Sequence, residues 1–339
     1  MIKNKLVYFL ALVLCCSCLR NSETVKVQRN RRNIMQVRDK IKEIKIEDVL
    51  LHNFSNIYLI DMYLVIKDSY SFDKIIYLFD KNDFSYITST GDRGPGPYEL
   101  ISPADIGFNA TSRKLYVPDL GKYQFFFFDL DSVLADPNYI PKESLKSERG
   151  QIPRDFRYLN DTLSIGYFVL PVNIADFRPA AGKWNMSTGE ITLLNAHDHP
   201  NIQRKRATFA ASLEHGIFVE GYWHHDLMSI CDLDGNLKYY IYGGKWDDRT
   251  QNKVMFYTKI IFCKDKIVAL YGDGDDNFIQ DKSNQATKLL IFDISGDYIQ
   301  TLELGYKTYD ICYDRDNNRI IMSIDDEIQF AYLDLDGII

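Results

Sequence analysis

The 339-residue sequence predicts an all-β chain built from repeated small sheets, on three observations. From about Ile34 onward, short apolar runs alternate with turn residues and helical periodicity is almost absent. The runs come in pairs, the second of each pair closing on Asp. MYLVIKD (62–68) precedes IIYLFD (75–80), KLYVPD (114–119) precedes YQFFFFD (123–129), and GIFVEGY (216–222) precedes LMSICD (227–232). KIVALYGD (266–273) and KLLIFD (288–293), then RIIMSIDD (319–326) and QFAYLD (329–334), repeat the arrangement. The closing residues Asp80, Asp129, Asp232, Asp293 and Asp334 lie 49, 103, 61 and 41 residues apart. The long gap spans two units, with KWNMSTGE (183–190) in the place of the missing member, so six units average about 51 residues. A strand-only period near 40–50 marks a β-propeller, here six-bladed with four-stranded blades.

Burial logic points the same way. A sheet with one wet face alternates apolar and polar residues, and Phe125-Phe126-Phe127-Phe128 cannot. Blades stacked on neighbours cover both faces of their middle strands, whereas the strands of a two-sheet sandwich alternate more cleanly.

The elements follow in chain order. Residues 1–17 form a leader: Lys3 and Lys5 are a basic start, and Leu6 to Cys16 is an uncharged run of eleven residues. That run is shorter than the roughly 20 residues a spanning helix needs and suits an export signal. It ends like a bacterial lipoprotein signal, where a small residue precedes the cysteine that receives lipid. Of Cys15, Cys16 and Cys18, Cys18 follows the small Ser17 and is the expected site, giving a mature chain of net charge −9 against −7 for the whole. Residues 18–33 then read as the lipidated cysteine and a polar tether carrying Arg20, Lys26, Arg29, Arg31 and Arg32 against Glu23 alone. Residues 34–339 are the propeller. IKEIKIEDVL (41–50) holds an alternating segment ahead of the first full unit, and the chain stops just after QFAYLDLDG. The first strand is therefore expected to complete the last blade. Asp234-Gly235, Ser295-Gly296 and Asp336-Gly337 suit tight hairpin turns.

The stretch YLFDKNDFSYITSTGDRGPGPYEL followed by SPADIGFNATSRKLYVPD gives residues 57–130 a family likeness. It resembles the six-bladed β-propeller lipoproteins common in Bacteroidetes, including the TolB-like group. That family places a G-x-G-P-G-E-Tyr/Phe-type loop after the first blade's Phe-Asp strand. Gly94-Pro95-Gly96 matches, the next position is Pro97, and Tyr98-Glu99 follows in swapped order. The resemblance implies an exported, lipid-anchored propeller and no particular reaction.

Three glycines and two prolines within residues 91–97 fix an unusual path for the loop Gly91–Leu100. Gly94, Pro95 and Gly96 shape it, and Arg93, Tyr98 and Glu99 are the side chains expected to face a ligand. Asp273-Gly274-Asp275-Asp276-Asn277 has calcium-like spacing. It puts Phe278 where a calcium loop needs Gly and Asn284 where it needs Glu, so it reads as a solvated hairpin tip. His197-Asp198-His199, His224-His225 and the short basic run Arg204-Lys205-Arg206 read as loop residues. Cys231, Cys263 and Cys312 lie in apolar runs without zinc spacing and read as buried small hydrophobes.

Composition narrows the function. Apolar residues at 46% exclude a disordered chain. Asp+Glu 47 against Lys+Arg 40 argues against a nucleic-acid binder, whose footprint is basic. No nucleophile elbow, phosphate loop or dinucleotide fingerprint is present in the sequence. The expected function is a monomeric binding or scaffold protein for a protein, peptide or glycan, without cofactor or metal site. It is attached by its lipid to the cell envelope, at the outer membrane facing the periplasm. The alternative is an extracytoplasmic metal-dependent hydrolase or lactonase, with calcium as its ion.

Overall fold

The computed structural model describes residues 24–147, 152–171, 177–194, 199–202, 205–249, 254–275 and 286–339. The expected leader, with Cys15 and Cys16, and Cys18, His197, Asp198, Arg204, Asp276, Asn277, Phe278 and Asn284 lie outside them.

Six sheets, each built on a meander of three or four consecutive strands, form the six blades of a β-propeller. Blade 1 runs Asn56–Ile60, Tyr63–Lys67, Lys74–Asp80 and Tyr86–Asp92. Blade 2 has Gly107–Asn109, Lys114–Asp119, Gln124–Asp129 and Glu143–Lys146; blade 3 has Pro153–Tyr158, Leu163–Pro171, Phe177–Asn185 and Ile191–Leu193. Blade 4 comprises Ala207–Ser212, Ile217–Tyr222, Leu227–Asp232 and Leu237–Gly243; blade 5 comprises Met255–Cys263, Lys266–Asp275, Lys288–Asp293 and Tyr298–Glu303. Blade 6 takes Thr308–Asp314, Arg319–Ile324 and Phe330–Asp334 from the end of the chain. Its fourth strand is Lys42–Ile44, antiparallel to Phe330–Tyr332, so the expected closure of the ring is present.

The first strands surround a central channel, and those of blades 2 to 6 and then 1 pack in succession against one another. The upper face is taken here as the one where these inner strands begin, and the lower face as the one where they end. The phenylalanine run shows how the blades stack. Phe125 packs towards blade 3, its ring stacked on Trp184 at 4.3 Å, while Phe126 and Phe128 join Val65, Ile76 and Leu78 of blade 1. All three are fully buried, each contributing about 1.5–3 kcal/mol of transfer free energy. The closing aspartates cap the turns that follow them. Asp80 Oδ1 accepts from the Asn82 N–H at 2.7 Å and Asp232 Oδ1 from the Asn236 N–H at 2.8 Å. In blade 3 that role falls to Asn185, which accepts from the Ser187 N–H at 2.9 Å, so the unit missing from the aspartate count ends on an amide.

Two features depart from the sequence reading. A six-residue helix, α1 (Leu130–Ala135), replaces the hairpin turn of blade 2, its first turn capped by Asp129, whose side chain accepts from the Ser132 N–H at 2.8 Å. The other departure concerns the segment expected to be a tether and the blades expected to have four strands. Val25–Gln28 adds a fifth, parallel strand to the outer edge of blade 4, and Ile34–Gln36 does the same for blade 5. The cause is a V-K-V-Q alternation hidden among basic residues. Lys26 and Gln28 turn to blade 5, where Lys26 Nζ bonds Asp297 Oδ2 at 2.8 Å and Gln28 Nε2 bonds Asp297 Oδ1 at 3.2 Å. Between the two strands Arg31 sinks beneath the surface. It donates to Asp226 Oδ1 of blade 4 at 3.0 Å and to the Tyr257 hydroxyl of blade 5 at 3.0 Å, beside the rings of Tyr271 and Phe292.

Cys231, Cys263 and Cys312 are free and buried, as expected. Among the described residues no helix is long and apolar enough to cross a membrane.

Candidate functional site: a polar ring at the channel mouth

The channel opens on the upper face into a cavity of about 640 Å3. At its throat each blade contributes one polar side chain from its inner strand or the residues just before it: Asn56, Asp105, Asp155, Thr208, Lys259 and Asp310. In every blade the next residue is apolar and buried: Ile57, Ile106, Phe156, Phe209, Ile260 and Ile311. Strand alternation thus drives one residue between blades and leaves its predecessor facing the channel. Below the ring the lining becomes mainly apolar and includes Leu59, Phe108, Leu213 and Phe262.

The ring's charges are compensated internally. Lys259 Nζ lies 3.2 Å from Asp310 Oδ1. The other oxygen of Asp310 accepts from Asn56 Nδ2 and from the Ile57 N–H, both at 3.1 Å. The Tyr58 hydroxyl donates to Asp105 Oδ1 at 2.7 Å. Asp105 is also hydrogen-bonded to Asp155. Burial and the charge of Asp105 push Asp155 well above the ordinary carboxylate range. Burial opposes ionisation of Asp105 too, but Lys259, the bond with Asp155, Lys67 and Tyr58 outweigh it and hold that carboxylate low. The two carboxyls therefore share one proton, donated by Asp155. Burial disfavours the charged form of Lys259, yet Asp310, Asp105 and Asp155 together raise its pKa. Lys67, opposite Asn56 on the next strand, donates to the Ala104 carbonyl at 2.8 Å, and burial lowers its pKa.

Around this ring several apolar side chains stand on the upper face. Leu120, Tyr123, Phe177 and Tyr309 line the cavity and stay substantially exposed. Arg154 lies over the Trp223 ring at 5.3 Å on the same wall. From Tyr309 a run of ring contacts leads outward through Phe54 (5.5 Å), Tyr70 (6.5 Å) and His52 (6.1 Å) to Phe72 (6.2 Å). Phe72 is 91% exposed.

The loop Gly91–Leu100 is the crossover from blade 1 to blade 2 on this same face. Arg93 donates to the carbonyls of Ser69 and Ser71. Glu99 Oε2 accepts from the Gly96 N–H at 2.6 Å, and Lys122 Nζ bonds the Glu99 carbonyl at 2.6 Å. Gly94, at φ +157°, leaves room for the Glu99 carboxylate that a side chain would fill. Tyr98 projects into solvent. The other sequence candidates are committed elsewhere. His199 pairs with the Tyr242 hydroxyl at 2.8 Å, and His224 and His225 hold the carbonyls of Val254 and Asp247. Lys205, read as a loop residue, is buried against Glu220 at 2.7 Å. Asp273 is held by Lys245 at 2.8 Å and Lys288 at 3.1 Å. Among the described residues no three His, Cys, Asp or Glu side chains converge to hold an ion.

Sequence reasoning did not single out the ring. A signal was there: ADIGF, RDFRY, YDICY and TKIIF place a charged residue, an apolar one and an aromatic at matching positions of blades 2, 3, 6 and 5.

Comparison with known proteins agrees with the fold. Residues 40–139 match the family DUF5128, described as a 6-bladed beta-propeller. A solved structure of a protein described as exported, of Bacteroides fragilis, is similar with TM-score 0.58 and 9% identity over 91% of this chain and 98% of that one. A member of the DUF4221 family from Bacteroides vulgatus gives TM-score 0.55 at 9% identity, covering 87% and 98% of the two chains. The extracellular domain of a protein described as a hybrid two-component system, from B. thetaiotaomicron, gives TM-score 0.53 at 16% identity over 84% of this chain and 33% of that one. No curated protein matches the chain. Topology, the domain match and these likenesses agree that the chain is a six-bladed β-propeller.

Proposed function

We propose that the protein is an exported binding propeller, attached by a lipid on Cys18 to the outer membrane and facing the periplasm. It seats a protein partner on its upper face, with a polar segment of that partner entering the channel mouth. The observation that carries this reading is the concentration of exposed aromatic and aliphatic side chains, from Phe72 through Tyr309 to Phe177, around a polar ring. Contiguous apolar surface around a polar centre is a docking signature. In the crossover loop Tyr98 is the contact residue, while Arg93, Gly94, Pro95, Gly96 and Glu99 set its path. The leader and the neighbours described as exported or extracellular support the location. Hydrolysis is the weaker reading. Lys259 spends its ammonium on the carboxylates a metal would need, and Asp105 and Asp155 are hydrogen-bonded to each other, closer than the carboxyl separation used in glycoside cleavage.

A photo-crosslinking residue placed at Phe72, Tyr98 or Tyr309, in cells making the lipidated protein, should give one common adduct. The same residue at Met62, in a lower-face turn, should give none. Absence of an adduct from all three upper positions refutes the reading. So does stoichiometric calcium accompanied by turnover of a lactone or glycoside.

A further inference from the structure

We infer that the partner segment entering the channel mouth presents an Asp or Glu side chain, and that Arg154 receives it. This rests on the partner reading above. The cations along the channel differ in what they already hold. Lys67 Nζ donates to the Ala104 carbonyl at 2.8 Å, and Lys259 Nζ lies 3.2 Å from Asp310 Oδ1. Arg157, which lines the channel below, donates to the Phe156 carbonyl at 3.0 Å. Arg154 lines the mouth, is exposed, and makes no side-chain hydrogen bond or ion pair among the described residues. It rests over the Trp223 ring at 5.3 Å. Such stacking uses the face of the guanidinium and leaves its in-plane N–H groups to a ligand. On the same wall the buried indole N–H of Trp223 also has no partner among the described residues.

Charge gives the same sign. The described channel lining has four cations, Lys67, Arg154, Arg157 and Lys259, against the carboxyls of Asp105, Asp155 and Asp310. Asp155, next to Arg154 in sequence, holds its proton against Asp105 and brings it no counter-charge. The whole chain carries −7, so the channel reverses the sign of the molecule around it and concentrates anions at its mouth. The apolar rim decides how the anion is carried. Phe177 of blade 3 and Tyr309 of blade 6 line the mouth from opposite sides of a six-membered ring. A segment touching both crosses the throat and offers an internal side chain, not a chain end. A carboxylate there meets the Arg154 fork in a two-pronged contact.

The test places p-benzoylphenylalanine at Tyr309 in cells making the full lipidated chain. Mass spectrometry of the digested adduct should show an Asp or Glu within a few residues of the crosslinked position. Arg154→Gln should cut the adduct yield about tenfold, as loss of a hydrogen bond to a charged group does. Arg154→Lys keeps the charge without the fork and should give an intermediate yield. Thermal melts of both variants should match the parent, because the guanidinium bonds nothing within the ring. An adduct of unchanged yield in Arg154→Gln overturns the inference and leaves the partner reading standing. So does a crosslinked segment without Asp or Glu, or one offering only its terminal carboxylate. No adduct from the parent at Phe72, Tyr98 or Tyr309 removes the partner reading, and this inference with it.

Discussion

Replacing Arg31 by Ala tests whether the arm is part of the fold. The guanidinium is 3.0 Å from Asp226, whose carboxylate is 1% exposed, and the arginine side chain is 11% exposed. At an effective dielectric near 20, unit charges at that distance attract by about 5 kcal/mol. Much of this offsets the desolvation of both groups, so the pair's net worth is smaller. Deleting one partner is different, because Asp226 would keep its burial with only the Tyr257 hydroxyl at 2.9 Å and the Lys245 N–H at 3.0 Å. Stranding a buried charge costs about 3–5 kcal/mol. At the lower end of 2–4 °C per kcal/mol, Tm should fall by about 6–10 °C. Differential scanning calorimetry of residues 19–339 measures it. The paired variant Arg31→Met, Asp226→Asn removes both charges and should recover at least half of the loss. A Tm within about 2 °C of the parent for Arg31→Ala, or no recovery in the pair, refutes the reasoning.

Removing residues 41–50 deletes Lys42–Ile44 and uncovers the edge of Phe330–Asp334; Tm should drop sharply and the protein should aggregate, as light scattering would show, whereas a soluble product of unchanged Tm denies the closure. Asp155→Asn addresses the shared proton. The folded state keeps a proton on Asp155 that the unfolded chain releases above about pH 4. The parent therefore loses stability as pH rises through the window between the unfolded and the raised folded pKa. The variant should show a flatter loss in thermal melts between pH 4 and 8, and an unchanged slope rejects the assignment. Gly94→Ala drives a methyl into the Glu99 carboxylate and should destabilise by about 1–3 kcal/mol; urea denaturation reads it, and a neutral result shows that the crossover can yield.

The repeat and its closure were legible because two-sided burial leaves a mark: unbroken apolar runs such as Leu64–Ile66 and Phe125–Phe128, each followed by a turn-capping Asp or Asn. The arm was misread because its strand is short and its counterions, Asp226 and Asp297, lie about 200 or more residues away. Charge counting along a segment sees only the excess of arginines. The polar ring was missed for a related reason. Its six members are ordinary residues, separated by a blade each, and only ring closure sets Asn56 beside Asp310. The crossover loop stood out on glycine and proline content alone. That content reports backbone path, and Arg93 and Glu99 are engaged in holding the path.

Val25–Ile44 is made before any complete blade, yet its strand partners, from Tyr240 to Tyr332, are made only after blades 1 to 3. Each blade's own hairpins are local and can zip up as they emerge, but the circle stays an open arc until Phe330–Asp334 is made. During that interval short unpaired leading strands and the uncovered edge of the growing arc coexist on one nascent polypeptide, which is when a holdase chaperone would matter most to its survival.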